Sequence, residues 1–337
     1  MNLILKNKKM IDISVVIPLY NEEESLPELT TWIKKIMDDN SFSYEIIFID
    51  DGSHDSSWEI IKKLHTENSS VTGIKFLRNY GKSAGLQVGF TKATGDVVFT
   101  MDADLQDDPS EIPELYRMIK EDHFDLVSGW KKERHDPLFS KNLPSKFYNF
   151  IARICSGIKI HDFNCGLKAY RKQVVKSIEI YGEMHRYIPI IAKWSGFTKI
   201  GEKVVHHHKR KYGKSKFGIE RFFSGPLDLL SVLFISKFKK QPMHFFGIMG
   251  SIVFILGFLA AIWLGIDKLI AVSRQLAVPR VTESPYFYIA LSSMIIGTQL
   301  FMAGFVSELL SRNAPGRNNY LIDEETKTDA PKKTDCE

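Results

Sequence analysis

Two long stretches without a charged residue, 245–266 and 286–306, constrain this chain more than any other feature. As helices, each is roughly 30 Å long, the thickness of a bilayer's hydrocarbon core. One such run can be the buried helix of a soluble protein; two in succession predict a membrane hairpin. Two spans return the chain to the side from which it started. Lys237, Lys239 and Lys240 precede the first run and Arg312 and Arg317 follow the second, while Lys268, Arg274 and Arg280 lie between. The bias is modest and favours both ends in the cytoplasm, at the inner membrane. Gly247, Gly250 and Gly257 offer small-residue faces through which two copies could pack. Residues 1–10 hold lysines but no apolar core, so no signal peptide is expected. Cys155, Cys165 and Cys336 have neither metal-ligand spacing nor a disulfide framework, which fits a reducing compartment.

Ahead of the hairpin, two periodicities alternate. Residues 11–19, 44–49, 71–77 and 97–101 read as strands, with a further one at 126–129. Residues 22–37, 56–65 and 83–93 have helical spacing, with Leu26, Leu29, Ile33 and Ile36 on one face of the first. The alternation predicts an α/β domain with a mostly parallel, Rossmann-like sheet. Residues 145–160 read as a helix whose stripe of Phe147, Phe150, Ile151 and Ile154 faces the core, with a membrane surface as the alternative. The expected organisation is a cytoplasmic domain over 1–220, an interfacial amphipathic segment over 221–243, two spans within 244–310, and a polar, disordered tail over 311–337.

Three strand ends carry polar turns: Pro18-Leu19-Tyr20-Asn21-Glu22, Asp50-Asp51-Gly52-Ser53 and Met101-Asp102-Ala103-Asp104. In a parallel sheet such ends share one edge, where ligands bind. Asp102 and Asp104 suit Mg²⁺ or Mn²⁺, which take oxygen ligands and share them with substrate phosphates. Asp51 can accept a base N–H, Glu22 a ribose hydroxyl, and Tyr20 can stack on a base; a helix cap at Asp51 or Ser53 is the competing role. Neither Gly-x-Gly-x-x-Gly nor a Walker lysine motif is present, which argues against dinucleotide enzymes and P-loop ATPases. Lys203, Lys209, Arg210, Lys211, Lys214 and Lys216 fall in one run without an acid, suited to phosphate or anionic headgroups, or else to a solvated loop. His206, His207 and His208 alternate faces on a strand, so a structural or surface role is expected for them.

These segments resemble family 2 glycosyltransferases of the GT-A fold. The resemblance lies in Ser14-Val15-Val16-Ile17-Pro18-Leu19-Tyr20-Asn21-Glu22, Ile49-Asp50-Asp51-Gly52-Ser53, Arg78-Asn79-Tyr80-Gly81-Lys82-Ser83 and Met101-Asp102-Ala103-Asp104-Leu105-Gln106-Asp107-Asp108-Pro109. It covers about residues 11–220, and the two spans narrow it to the polyprenyl-phosphate glycosyltransferases, similar to bactoprenol glucosyltransferases and dolichol-phosphate mannose synthases. It implies that Pro18, Tyr20, Glu22, Asp51, Lys82 and the Asp102-Ala103-Asp104 block hold the nucleotide. It also implies that Asp102, Asp104 and Gln106 surround the metal. Lys131 stands where the family usually has arginine, so it offers a point charge rather than a bidentate fork; Lys132 and Arg134 supply further charge. Lys141 and Ser145 have the spacing of an acceptor-phosphate pair. Arg210, Tyr212, Gly213, Ser215 and Lys216 resemble a loop closing over the diphosphate. Asp102, Asp104, Lys131, Arg134, Arg210 and Lys216 are therefore the residues expected to carry the transfer. The 163–168 segment, with Cys165, resembles a structural family segment.

The implied reaction moves one sugar from a nucleotide sugar to polyprenyl phosphate, with inversion and with Mg²⁺ or Mn²⁺. UDP-glucose and undecaprenyl phosphate are the first expectation; GDP-mannose and a UDP-amino-arabinose are the alternatives. A phosphate acceptor is already anionic near neutral pH, so no general base is required, unlike transfer to an alcohol. Expected partners are the nucleotide sugar, the lipid phosphate, membrane lipids and a second copy of the chain; no nucleic acid is expected. The competing classes are a non-catalytic membrane scaffold, opposed by the intact acidic motifs, and a lipid flippase, opposed by spans without a polar lining.

Overall fold

The computed structural model describes residues 11–132, 152–153, 156–212, 242–274, 280–312, 320 and 322–326. The chain divides into two units, Met1–Val232 with Asn318–Glu337, and Leu233–Arg317. In the first unit, β1 (Ile13–Leu19), β2 (Tyr44–Asp50), β3 (Val71–Phe76) and β4 (Val97–Thr100) are mutually parallel, in the spatial order β4-β1-β2-β3. The runs of buried residues in β1, β2 and β4 are those of strands covered on both faces, and every residue of β4 is buried. The helices α1 (Leu26–Asp39), α2 (Ser57–Glu67) and α3 (Lys82–Lys92) fill the crossovers. Leu26, Leu29, Ile33 and Met37 of α1 enter the core. α3 lies unusually close to the sheet: a Cβ on Gly89 would stand 2.2 Å from Val16 Cγ1. That approach seats the start of α3, with Lys82, beside the end of β1.

Beyond β4 the sequence reading falls short. A 3₁₀ turn, Pro109–Glu111, leads into α4 (Ile112–Lys120), whose Ile112, Leu115 and Ile119 are buried. After β5 (Leu126–Trp130), β6 (Lys168–Arg171) enters antiparallel between β4 and β5, and β7 (Ile200–Val204) pairs parallel with β5. Two short helices, α5 (Lys172–Ser177) and α6 (Ile188–Trp194), separate β6 from β7. A final strand, β8 (Ile322–Glu325), adds antiparallel to the free edge of β3. The sheet is therefore mostly parallel but mixed, with eight strands among the described residues in the order β7-β5-β6-β4-β1-β2-β3-β8. The tail expected to be disordered supplies one of them. Its four residues are all exposed, so no hydrophobic pattern announces it; ladder hydrogen bonds to β3 hold it there.

The second unit contains α7 (Pro242–Ser273) and α8 (Pro285–Arg312). Both exceed the predicted spans, because the helices continue past the apolar runs into flanking polar residues. Gly250 and Gly297 meet backbone to backbone: a Cβ on either would lie 2.6 Å from the other's carbonyl oxygen. Gly257 likewise packs on the Ala290 carbonyl. Gly250 and Gly257 thus join the two helices of one chain, where the sequence reading had them joining two copies. Large apolar side chains remain exposed on both helices, among them Leu256, Trp263, Leu269, Ile289 and Ile295. Only 17% of each apolar window is buried, so these are not core helices of a soluble protein. By length and apolar composition they are two candidate membrane helices. The stripe of 147–154 and the interfacial segment 222–238 lie outside the described residues.

Candidate active site

The loops after β1 and β2 are laced together at the carboxyl edge of the sheet. Asn21 adopts a left-handed φ of 52°, which asparagine tolerates. Its N–H donates to Ser53 Oγ at 2.9 Å, and its side-chain oxygen accepts the His54 N–H at 2.8 Å. The Glu22 N–H donates to Ser57 Oγ at 3.0 Å, and Glu23 accepts the Ser56 N–H at 2.8 Å. Tyr20 sits edge-on to His54 with ring centres 6.2 Å apart. Pro18 lies in β1 beneath α3, where a Cβ on Gly85 would reach it at 3.0 Å.

Asp50 and Asp51 divide their work. Asp50 is fully buried, and its Oδ1 accepts the Ser53 N–H at 2.8 Å. Asp51 turns to the loop after β3, accepting the Tyr80 N–H at 2.7 Å and the Gly81 N–H at 2.9 Å. Neither Asp51 nor Ser53 caps α2: its N-cap is Ser56, without a side-chain cap bond, and Asp55 just before it accepts the Ser57 N–H at 3.0 Å. Burial pushes the Asp51 carboxyl up to about 6, against the pull of those two N–H groups.

The turn after β4 holds three carboxylates. Leu105 has a φ of 60°, a conformation costly for a residue with a Cβ. It folds Asp107 back under Asp102, whose N–H meets Asp107 Oδ2 at 3.3 Å. Gly166 closes on the pair: a Cβ there would stand 2.7 Å from an oxygen of each. Ala103 and Leu105 are buried within the turn. Every carboxylate has its own cation. Lys82 pairs with Asp102, Arg210 Nη2 with Asp104 at 2.6 Å, and Lys131 with Asp107 at 2.8 Å. Burial would raise the Asp102 pKa, but Lys82, Lys131 and Lys168 more than offset it, and the group is held well below the carboxylate range. Asp104 goes the other way, raised by burial and by the charges of Asp102 and Asp107.

The basic run does not act as one patch. Lys203 pairs with Glu111 and Glu114 of the 3₁₀ turn and α4, and Lys211 with Glu28 of α1 at 2.7 Å. Arg210 alone of the described members reaches the acidic turn, and it also lies 3.7 Å from Glu22. The acids missing from the local sequence arrive from other elements. His208 Nε2 meets Asp108 Oδ2 at 3.0 Å, and His207 Nδ1 meets the Gln106 carbonyl at 3.1 Å, so these histidines brace the acidic turn. Gln106 points its amide at this histidine segment, which lies beyond the end of β7. Lys132 lies over the Trp130 ring at 6.0 Å. Arg134, Lys141, Ser145, Gly213, Lys214, Ser215 and Lys216 lie outside the described residues.

Among the described residues, no three His, Cys, Asp or Glu side chains form a metal cage by themselves. The donor set still fits Mg²⁺ or Mn²⁺. These ions are commonly held by one or two carboxylates together with substrate phosphates, and Asp104 lies in a concentration of negative charge with Asp102 and Asp107.

Residues 14–179 match the model of glycosyl transferase family 2. A dodecaprenyl-phosphate galacturonate synthase of Rhizobium johnstonii is 35% identical over 317 residues, 93% of this chain and 92% of its own length. The chain belongs to glycosyltransferase family 2. An undecaprenyl-phosphate 4-deoxy-4-formamido-L-arabinose transferase of Aeromonas hydrophila is 34% identical to this family 2 glycosyltransferase, over 92% of each chain. Among solved structures, glucosyl-3-phosphoglycerate synthase from Mycobacterium tuberculosis, in complex with Mn²⁺, UDP-glucose and glycerol 3-phosphate, superposes with a TM-score of 0.49. It is 17% identical, covering 67% of this chain and 80% of that one.

The resemblance to family 2 implies no individual role for Asp107 or Glu28, and for Gly166 and Lys168 only membership of a structural segment. Lys168 is buried, and its Nζ donates to the Cys165 carbonyl. Cys165 is structural, its thiol pushed up to about 12 by burial. Asp107 lies within the acidic motif, but only the fold shows that it is the acid buried against Lys131. Burial alone would lower the Lys131 pKa; the Asp107 and Asp102 carboxylates outweigh it, and the ammonium is firmly held. The side chains are 14% and 1% exposed. Lys131 is buried against Asp107, a partner that the phosphate role implied by the resemblance did not include. Removing one member of a buried pair costs roughly 3–5 kcal/mol. Lys131→Ala is therefore expected to lower the unfolding midpoint of the detergent-solubilised protein sharply, and Lys131→Ala with Asp107→Asn to recover part of the loss. Turnover lost with an unchanged midpoint would return Lys131 to phosphate binding.

Proposed function

We propose that this enzyme transfers one sugar from a nucleotide sugar to polyprenyl phosphate at the cytoplasmic membrane face, with inversion. The observation that carries the reading is the acidic turn at the sheet edge, each carboxylate matched by a separate cation, on a chain with a membrane hairpin. Two relatives named for polyprenyl-phosphate products, aligned over nearly the whole chain, support the acceptor class. UDP is the proposed nucleotide. The sugar is sought first among glucose, which the sequence suggested, and the galacturonate and formamido-arabinose that name the relatives.

In this reading Asp51 accepts the base N–H and Glu22 a ribose hydroxyl, with Tyr20 beside the base. Asp104, with Asp102 nearby, would hold Mg²⁺ or Mn²⁺; when bound, the ion offsets negative charge on the departing diphosphate. Lys82 and Arg210 are the cations that oppose the diphosphate from the protein side. The acceptor phosphate oxygen forms the bond to the anomeric carbon as the bond to the diphosphate breaks, and no proton need be removed. Lys132, Arg134, Lys141, Ser145 and Lys216 are the proposed acceptor-side groups. The intact charge-paired turn argues against a non-catalytic scaffold.

Three measurements test this. Purified protein with undecaprenyl phosphate, Mn²⁺ or Mg²⁺ and each UDP-sugar in turn is expected to form glycolipid with one of them. Asp104→Asn and chelator are each expected to reduce turnover on the order of ten- to a hundredfold or more. Full turnover in chelator removes the metal, and no product from any sugar nucleotide removes the activity.

Donor binding is expected to depend on pH through Asp51. Its folded pKa of about 6 lies above the unfolded value of about 3.9, so ionisation costs folding stability at neutral pH and nothing below the unfolded value. The ionised form is the better acceptor for a base N–H. KM for the donor is expected to rise several-fold as pH falls from 7 to 5, and the rise to vanish in Asp51→Asn. The same rise in the variant would assign it to another group.

For topology, a cysteine at Thr282 is expected to react with an impermeant reagent added outside intact cells, and one at Ser56 only after lysis. The reverse pattern would place the donor site on the wrong face.

A further inference from the structure

We infer that the C-terminal segment, residues 320 and 322–326, is part of the donor site, acting through Tyr80; the inference rests on Asp51 as the base acceptor. The segment is seated by several independent contacts. β8 pairs with β3, Ile74 opposite Glu325 and Lys75 opposite Glu324. The Thr326 N–H donates to the Gly73 carbonyl at 2.9 Å, and its hydroxyl accepts the Gly73 N–H at 2.8 Å. Trp58 Nε1 donates to Glu324 at 2.7 Å. The acids of the strand face a lysine field: Asp323 lies 3.9 Å from Lys75, Glu324 4.0 Å from Lys62, and Glu325 2.6 Å from Lys92. Exposed ion pairs contribute little each, so the ladder and the Trp58 bond do most of the seating.

The seated segment presents Tyr320. Its ring stacks on Phe76 at 5.6 Å and 28°, and meets Tyr80 edge-on at 5.5 Å. Tyr80 also stands edge-on to Phe76 at 5.6 Å, with the Arg78 guanidinium 4.9 Å from its ring centre. Tyr80 is therefore held by three neighbours, one of them supplied by the tail. The backbone of this same residue meets Asp51, together with Gly81, which turns the chain with a φ of 91°. Fixing the Tyr80 ring fixes the peptide that orients the carboxylate. Tyr320 is thus a positioning residue, two contacts removed from the nucleotide. Covering the bare edge of β3 is the simpler role for β8, but edge cover needs only the ladder and no ring on Tyr80.

The test uses the full-length protein in detergent, with UDP binding by calorimetry and steady-state kinetics. An edge-on aromatic pair corresponds to roughly a two- to tenfold change in an equilibrium. Tyr320→Ala is expected to raise the UDP Kd and the donor KM by that factor, with kcat and the unfolding midpoint nearly unchanged. Tyr320→Phe, which keeps the ring, is expected to behave as wild type. A chain ending at Asn319 is expected to lose at least as much donor affinity. If Tyr320→Ala lowers the midpoint while Kd and KM stay unchanged, β8 is an edge cover and the inference fails. If wild-type protein binds no UDP, or Asp51→Ala leaves UDP binding intact, the base-acceptor reading fails and takes the inference with it.

Discussion

The turn after β4 holds three carboxylates that repel one another, and the surrounding structure is organised to make that arrangement tolerable. Asp102, Asp104 and Asp107 each meet a cation from a different element: the start of α3, the segment after β7, and the end of β5. Burying an unpaired carboxylate costs several kcal/mol, so each pairing constrains where its element can lie. α3 meets this demand through Gly85 and Gly89, which bring it down onto β1 and set Lys82 against Asp102. β5 meets it by ending beside Asp107. Gly166, just before β6, leaves room for two carboxylates where any side chain would collide with both.

The pairings also bear on chemistry. A site that must gather a diphosphate and a second phosphate needs positive charge within reach, yet positive charge left unpaired would destabilise the empty protein. Here the cations are held by acids of the same turn. Lys131 and Lys203 are paired with buried acids. Arg210 and Lys82 are more exposed, at 23% and 34% of their side chains, and bind the two carboxylates of the Asp-x-Asp motif itself. In the proposed reaction Lys82 and Arg210 are the working cations, and what sets them apart from Lys131 and Lys203 is burial, which neither residue type nor spacing reveals.

Much of the first half of the chain was legible. β1 to β4 and their helices fall within a few residues of the periodicity reading, because parallel strands covered on both faces and amphipathic crossovers have strong local signals. The strand-end position of Asp51 and Asp102 followed from the same patterns. The signal weakened past β4. β6 has four residues and pairs antiparallel, and β8 is acidic and exposed, so neither carries a hydrophobic pattern. The basic run illustrates the same limit: without local acids it read as one cationic surface, while Glu28, Glu111 and Glu114 come to it from elements distant in sequence.

By itself, then, the sequence determined the elements whose signals are local: the two candidate membrane helices, the α/β alternation, and the motifs that place the chain in its family. Apolar length and residue periodicity are properties of contiguous residues, and they survive without knowledge of the fold. Only the tertiary structure decided which acid answers which base, that glycines at 250 and 257 join the helices of one hairpin, and that the tail returns to brace Tyr80 behind Asp51. Those outcomes depend on distances between residues far apart in the chain. Coulomb energy, ring packing and backbone clearance all fall off within a few ångströms, so no linear pattern encodes them.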